Sequence, residues 1–249
     1  MKVLIVGANG YLGPHVVETL SPLHDLRITD VKPPPPEVKE KYKQHEFMDL
    51  DVTSLSQVQK ATEGVDAVLN LSVVRQHRVL AFSVSALGCY NVMRAAVDHG
   101  VRRVINTGPH FTITGPGYED FDYDIRPDIP PHSGVNLYAI SKSLGQDICR
   151  VFTENHDIHV MDFLFYNFRD PEKVKQGDGG VPFIVSWSDA GQAFERGLEV
   201  DLDSLPSKCE VFFILGNNPQ NKFLNEKTRR ILKFEPQNDM TFLWKKKPR

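Results

Sequence analysis

The chain begins with the stretch that decides its fold, Met1-Lys-Val-Leu-Ile-Val-Gly-Ala-Asn-Gly-Tyr-Leu-Gly13. The apolar run over residues 3–6 predicts a buried parallel strand, and residues 15–20 are compatible with a helix. Between them, glycines permit a tight turn, close approach of the backbone to a phosphate, and close packing of helix on strand: Gly7, Gly10 and Gly13. Such a turn directs unpaired N–H groups and the positive helix end at one point, which suits a pyrophosphate.

A second predicted strand, Asp25–Asp30, supports a dinucleotide site. It ends in an acidic residue about 20 residues after the glycine loop, where a carboxylate binds the hydroxyl groups of an adenosine ribose. Asp30 favours NAD over NADP, because its charge repels the additional phosphate of NADP. Lys32, two residues further on, weakens this preference.

Composition and charge limit the class of protein. A chain of 249 residues can bury a sizeable core, and 41% hydrophobic residues are typical of a globular protein. A formal net charge of −3 predicts neither a nucleic-acid nor a membrane partner. Three scattered cysteines without metal-ligand spacing indicate free thiols, so we expect a cytoplasmic protein without a metal site. No apolar run approaches the length of a membrane span.

Strands and helices alternate along the chain. Further strands are predicted over residues 44–49, 67–72, 103–107 and 159–165, and helices over residues 54–62, 81–98 and 138–155. This order predicts the α/β class with a Rossmann-type doubly wound parallel sheet. We expect residues 1–166 to form the NAD-binding domain. Residues 167–249, where the pattern loosens, are expected to form a small C-terminal substrate-binding portion, partly packed on the same sheet.

The chemistry is predicted to lie in Asn136-Leu-Tyr-Ala-Ile-Ser-Lys142. Tyr138 and Lys142 are four residues apart and share one face of a helix. A free tyrosine has a pKa of about 10, so its use as a base near neutrality requires a stabilising positive charge. A neighbouring ammonium group supplies that charge.

Taken together, these features resemble an extended short-chain dehydrogenase/reductase of the NAD-dependent epimerase/dehydratase type. The resemblance covers about the first 165 residues and rests on the glycine loop, Asp30, Asp49-Leu-Asp51, residues 68–73, 87–96 and 103–105, and the pair Tyr138 and Lys142. It extends more loosely to Phe165-Tyr-Asn167, Trp187-Ser-Asp189 and residues 232–236. The compact length and the loop that contains His110 are most similar to bacterial uronate dehydrogenases.

The resemblance implies NAD as cofactor and a role for each matching residue. The pyrophosphate would be held by Gly7, Asn9, Gly10, Tyr11, Leu12 and Gly13. The adenosine would be held by Asp30, Asp49 and Leu50, and the path to the nicotinamide would be lined by Leu71, Ser72 and Val73. Tyr138 would be the catalytic acid/base and Lys142 its modulator, which also binds the nicotinamide ribose. Asn167 and His110 would contact substrate, and Ser85 stands where relatives often carry asparagine.

One departure from the family pattern affects the catalytic machinery. After the fifth strand the family usually has Ser-Ser or Ser-Thr, whose second hydroxyl polarises the substrate oxygen. Here the strand runs into Asn106-Thr-Gly-Pro-His110, so that position falls on Gly108 or Pro109. We predict that Thr107 supplies the hydroxyl, with His110 as a second polar contact and Thr112 and Thr114 as further candidates. Alternatively, the protein has kept its cofactor and lost normal turnover.

Three functions are compatible with these residues. We expect an NAD-dependent oxidoreductase acting on a hydroxyl of a sugar or a uronate-type sugar acid. An epimerase or dehydratase acting on a nucleotide-sugar ranks second, because the C-terminal portion is small for a large nucleotide pocket. A non-catalytic NAD(H)-binding sensor ranks third. The two long helices match those that form a dimer interface in the family, so we expect a homodimer. They carry apolar residues beyond one sheet-facing stripe: Val84, Leu87, Val92, Leu144, Ile148 and Val151.

Overall fold

The computed structural model describes residues 1–115 and 122–246. Nine strands are present in these ranges: β1 (Lys2–Val6), β2 (Asp25–Asp30), β3 (Glu46–Asp49), β4 (Ala67–Asn70), β5 (Arg103–Pro109), β6 (His159–Phe165), β7 (Asn167–Arg169), β8 (Ile184–Ser186) and β9 (Cys209–Phe213). Seven of them form a parallel sheet in the order β3-β2-β1-β4-β5-β6-β9, and β7 and β8 form a separate parallel pair. The predicted Rossmann-type doubly wound sheet is confirmed.

Helices cover both faces of the sheet. They are α1 (Gly13–Leu20), α2 (Pro36–Lys41), α3 (Leu55–Thr62), α4 (Arg78–Phe82), α5 (Gly88–Asp98), α6 (residues 111–115), α7 (Leu137–Asn155), α8 (Trp187–Glu199) and α9 (Glu226–Leu232). A π-helical turn, Ser83–Leu87, joins α4 to α5. The apolar sides of α1 and α8 bury one face of the sheet, whereas those of α3, α5 and α7 bury the other. This arrangement leaves the carboxyl ends of the strands free for a site.

The main differences from the predicted elements have local causes. The proline run over residues 33–36 indicates a loop, yet Pro36 begins α2. Proline is tolerated there because the N–H of the first helical residue makes no hydrogen bond within the helix. The helix predicted over residues 81–98 begins earlier, at Arg78, and contains the π-helical turn. The irregular stretch predicted after β5 includes residues 116–121, which lie outside the described residues.

The helical segment Arg78–Asp98 is the one described segment that bears on the expectation about membrane spans. By length and apolar composition alone its 21 residues suffice to cross a membrane. Half of its most apolar window is buried inside the protein, however, with Cys89, Val92 and Met93 in the core beneath the sheet. Core helices can be as long and as apolar as a membrane span, and this segment packs as a core helix along its buried side.

The C-terminal residues complete the sheet rather than standing apart from it. Strand β9 is hydrogen-bonded to β6 at the sheet edge, and α8 packs against α1. Strands β7 and β8 extend from this edge and bring Asn167 and Trp187 towards the carboxyl ends of the central strands. The C-terminal portion thereby contributes one wall of a cleft.

Candidate active site

The loop between β1 and α1 is built for close approach by a phosphate. Gly7 has φ of +85°, which favours glycine, and its N–H donates to the Thr29 carbonyl at 3.0 Å. A Cβ atom at Gly13 would lie 2.1 Å from the Ala8 carbonyl oxygen, so only glycine permits α1 to lie this close to β1. Helix α1 has no side-chain cap, which leaves its first N–H groups for a ligand. These residues fit a dinucleotide pyrophosphate.

Asp30, at the end of β2, is held beside this loop. Its carboxylate accepts the Asn9 N–H at 2.9 Å and the Lys32 N–H at 3.2 Å. A carboxylate has about four acceptor positions, so two remain for a ribose diol. Asp49 lies beside Asp30 in register, and the Leu50 N–H donates to the Asp30 carbonyl at 2.8 Å. Leu50 itself is buried.

A cleft of about 1300 Å³ opens at the carboxyl ends of the central strands, where the strand order reverses between β1 and β4. The structure brings most of the predicted site residues into its lining: Gly7, Asn9, Gly10, Tyr11, Leu12, Gly13, Leu71, Val73, Thr107, Tyr138, Lys142 and Asn167. The remaining predicted residues are not among those that line it: Asp30, Asp49, Leu50, Ser72 and His110.

The predicted acid/base pair is positioned by the start of α7. The Asn136 side chain caps the helix by accepting the N–H groups of Tyr138 at 3.0 Å and Ala139 at 3.1 Å. Burial raises the pKa of Tyr138, and the neighbouring Arg75 guanidinium opposes this increase. Lys142, one turn along, donates to the Ser72 carbonyl at 2.9 Å, and burial lowers its pKa to about 8. The Lys142 side chain is therefore mostly charged below about pH 8 and mostly neutral above it.

A buried polar ladder lies beneath Lys142. The Ser72 hydroxyl donates to Asn70 Oδ1 at 2.6 Å, and Asn70 Nδ2 donates to Asn106 Oδ1 at 3.0 Å. Asn106 Nδ2 donates in turn to Asp162 Oδ1 at 2.7 Å. Burial raises the pKa of Asp162 to about 7, although the Asn106 hydrogen bond opposes this. The ladder crosses β4, β5 and β6 in register and fixes the segment whose carbonyl binds Lys142.

The Gln146 side chain of a neighbouring helix lies against the position of the usual serine. A Cβ atom at Gly108 would lie 2.9 Å from Gln146 Nε2 on α7, so the end of that side chain would have to shift to admit one. Because strand side chains alternate, Thr107 faces the opposite side of β5. Its hydroxyl donates to the Asn70 carbonyl at 2.9 Å. Thr107 lines the cleft, but the preorganised donor that the sequence predicts beside Tyr138 is not formed in this arrangement.

His110 does not reach the cleft, contrary to its predicted contact with substrate. It is fully buried, with its ring centre 4.6 Å from that of Phe183 and 4.7 Å from that of Tyr166. Phe111, the next residue, lines the cleft instead. Thr112 and Thr114 are also fully buried, and the Thr112 hydroxyl donates to the Pro109 carbonyl at 3.0 Å.

Several residues of the cleft were not predicted. Arg75 is one of them and follows β4. Its position just beyond a buried parallel strand could have predicted a binding role, because ligands bind at the carboxyl ends of such strands. Phe168 and Trp187 stack with ring centres 4.4 Å apart, and His15 stacks on the same indole at 4.5 Å. Arg169, on the C-terminal wall, provides a second guanidinium in the cleft lining.

Comparison with known proteins agrees with this geometry. The model of the NAD dependent epimerase/dehydratase family matches residues 3–182. The chain is 26% identical to NAD-dependent glucose-6-phosphate dehydrogenase of Haloferax volcanii over 95% of this chain and 93% of that protein. It is 28% identical to uronate dehydrogenase of Pseudomonas syringae pv. tomato, covering 79% of this chain and 69% of that protein. A mutant uronate dehydrogenase from Agrobacterium tumefaciens complexed with NAD shares the fold, with TM-score 0.77, 20% identity and coverage of 95% and 84% of the two chains.

Proposed function

The chain belongs to the NAD-dependent epimerase/dehydratase family, and from this premise we propose that it is a dehydrogenase that oxidises a hydroxyl of an anionic sugar. It is an NAD-dependent enzyme of the extended short-chain class. The observation that carries the proposal is that Tyr138 and Lys142 line the same cleft as the glycine loop. A base and a cofactor cradle therefore face one shared space.

In the proposed reaction, Tyr138 accepts the proton of the substrate hydroxyl. Bound NAD supplies the acceptor for the hydride that leaves the same carbon with its electron pair. The glycine loop and Asp30 would hold the cofactor, and Lys142, anchored on the Ser72 carbonyl one turn from Tyr138, would provide positive charge that stabilises the phenolate. The C–H and O–H bonds break, and a C=O bond forms.

The charge of the cleft supports an anionic substrate. The lining residues that the structure describes include Arg75, Lys142 and Arg169, and none of them is an aspartate or glutamate. The names of the relatives from Haloferax volcanii and Pseudomonas syringae each refer to a sugar that carries a negative group. The C-terminal portion contributes Asn167, Phe168 and Trp187 to this wall, which supports its predicted role in substrate binding.

A panel assay tests the proposal. The purified protein is incubated with NAD and a set of sugars, uronic acids and sugar phosphates, and the absorbance of reduced cofactor is followed. We expect net NADH to form in proportion to oxidised sugar. An isomerised sugar without net NADH would indicate an epimerase, and binding of NAD without any product would indicate a sensor.

Thr107 is proposed to contact the substrate oxygen after its hydroxyl leaves the Asn70 carbonyl. Thr107 is the one aliphatic hydroxyl among the described residues of the cleft lining. Removing a preorganised oxyanion donor costs about a hundredfold in kcat, and this hydroxyl must first exchange its partner. We therefore expect Thr107→Val to lower kcat about tenfold without changing NAD affinity. Unchanged kcat would assign the contact to another donor.

Asp30 is proposed to select NAD. In calorimetric titrations we expect Asp30→Asn to weaken NAD binding by about tenfold to a hundredfold, the range for loss of charged hydrogen bonds. NADP binding should not weaken, because the substitution removes a repulsive charge. Asp25→Asn, at the opposite end of β2, is the matched control and should leave both affinities unchanged. Equal affinities for NAD and NADP in the unmodified protein would contradict the assignment.

A homodimer is proposed from the outer faces of α7 and of the segment formed by the π-helical turn and α5. Leu87, Leu144 and Val151 remain 49%, 42% and 47% exposed there. Val92, which belonged to the predicted apolar surplus, is buried in the core. We expect light scattering to give twice the mass of one 28.2 kDa chain, and Leu144→Glu to halve it. Leu23→Glu, at an equally exposed leucine elsewhere, should remain dimeric, and a monomeric unmodified protein would contradict the proposal.

A cytoplasmic location is proposed from the thiols. Cys89 and Cys149 are buried with their sulfur atoms 3.4 Å apart and are not bonded, and Cys209 is also free. Unpaired thiols are typical of a reducing compartment, where disulfides are rare.

A further inference from the structure

We propose that Arg75 is the residue that binds the anionic group of the sugar, a carboxylate or a phosphate, and so sets the preference for charged over neutral sugars. This inference rests on the proposed function and deepens it. It begins from the location of Arg75 in the segment after β4, where its guanidinium projects into the cleft. The central carbon of the guanidinium lies 5.3 Å from the centre of the Tyr138 ring and 5.5 Å from that of Tyr11.

Two aromatic rings flank this guanidinium, which also hydrogen-bonds to the Tyr138 side chain through one of its five donors. Tyr11 belongs to the glycine loop, and Tyr138 is the proposed base, so Arg75 lies between the cofactor cradle and the reacting hydroxyl. A guanidinium held by aromatic rings keeps its N–H groups available around its edge. Those N–H groups match the paired oxygens of a carboxylate or phosphate.

No carboxylate among the described residues forms an ion pair with Arg75. The other two cations of the cleft are engaged with backbone: Lys142 donates to the Ser72 carbonyl, and Arg169 donates to the Phe168 carbonyl at 3.1 Å. Of these three cations, Arg75 is the one with its guanidinium between the glycine-loop Tyr11 and Tyr138, which places its remaining N–H groups best to receive an anion beside the reacting hydroxyl. Beside Tyr138, that anion belongs to the molecule whose hydroxyl Tyr138 deprotonates.

The pyrophosphate of the cofactor has its own donors. The glycine loop and the uncapped first turn of α1 provide N–H groups for it. Arg75 is therefore assigned to substrate and not to cofactor. Replacing it should change sugar affinity while leaving dinucleotide affinity unchanged.

The test uses three sugars that share one ring and differ at C6: glucose, glucuronate and glucose 6-phosphate. Calorimetry measures how tightly each sugar binds to the protein saturated with NADH. The reduced cofactor cannot oxidise the sugars, so only binding is measured. We expect the unmodified protein to bind at least one anionic sugar about ten to a hundred times more tightly than glucose, a ratio typical of charge-assisted hydrogen bonds. Whether glucuronate or glucose 6-phosphate shows the larger ratio identifies the anion.

Arg75→Gln should reduce this ratio to about one. Arg75→Lys keeps the charge but loses the paired N–H donors of the guanidinium, so it should give an intermediate ratio. Arg78→Gln is the matched control, because Arg78 is exposed at the start of α4 and does not line the cleft. Loss of Arg75 also removes the charge that opposes the raised pKa of Tyr138. The pH dependence of kcat in the Arg75→Gln variant should therefore shift to higher pH for every sugar. The ratio between sugars is unaffected by that shift.

An unmodified protein without preference for anionic sugars would overturn the inference. So would an Arg75→Gln variant that keeps the full ratio or that loses NADH affinity instead. If the ratio depends on Arg75 but no sugar yields NADH in the absorbance assay, the binding assignment stands and the dehydrogenase proposal fails. The two outcomes are therefore distinguishable.

Discussion

Replacing Tyr138 with phenylalanine is expected to lower kcat by about a hundredfold to ten-thousandfold, the range for loss of a general acid/base. The substitution removes only the phenolic oxygen. The ring remains, with its contacts to the Arg75 guanidinium at 5.3 Å and to the Phe111 ring at 5.7 Å. NAD affinity and the Tm of the protein should therefore stay close to those of the unmodified protein.

The control for this experiment is Tyr123→Phe. Tyr123 is 67% exposed and lies outside the cleft, so the same chemical change there should leave kcat unchanged. Initial rates of NADH formation at saturating NAD and substrate measure both variants. A Tyr138→Phe variant that retains more than a tenth of the unmodified kcat would show that the proton is accepted elsewhere.

The second large effect is expected in the glycine loop. A methyl group at Gly13 would lie 2.1 Å from the Ala8 carbonyl oxygen and 2.6 Å from its Cα, both backbone atoms. Helix α1 must move away from β1 to accept it. We expect Gly13→Ala to destabilise the protein by about 1–3 kcal/mol or more, the scale of overpacking, and to weaken NAD binding by at least about a hundredfold.

Gly10→Ala separates binding from folding. Its Cβ would meet only the Gly7 carbonyl oxygen at 3.3 Å, and its backbone does not have positive φ. The added methyl group lies where the pyrophosphate approaches the loop, so NAD affinity should fall while the Tm without NAD changes little. Thermal unfolding with and without NAD measures both quantities. Normal NAD binding by Gly13→Ala would contradict the assigned role of the loop.

Local sequence signals predicted the sheet well, because parallel strands that are buried on both faces appear as short apolar runs. The bounds of β2 and β6 agree with those expected. The glycine loop and the pair Tyr138 and Lys142 were also predictable, because their chemistry depends on spacing within one turn or one helix. The structure brings both groups to one cleft.

Other features of the site depend on contacts between distant segments. Alternation along β5 gives two possible directions for Thr107, and the one it adopts, with its hydroxyl on the Asn70 carbonyl of the neighbouring strand, is not encoded in the local sequence. His110 is polar and follows a strand, but aromatic residues from three later segments enclose it: Tyr166, Phe183 and Phe223. Arg75 was not predicted, because its function depends on two tyrosines that lie 64 and 63 residues away along the chain.

The most direct test of the central claim follows the hydride itself. The protein is incubated with NAD and an anionic sugar, identified by the panel assay, in which every carbon-bound hydrogen is deuterium. Mass spectrometry then measures deuterium in the cofactor and the mass of the sugar. We expect one deuterium in each reduced cofactor, in equal amount to a sugar that has lost one carbon-bound deuterium and one hydroxyl proton. A sugar that is isomerised while the cofactor remains oxidised and free of deuterium would contradict it.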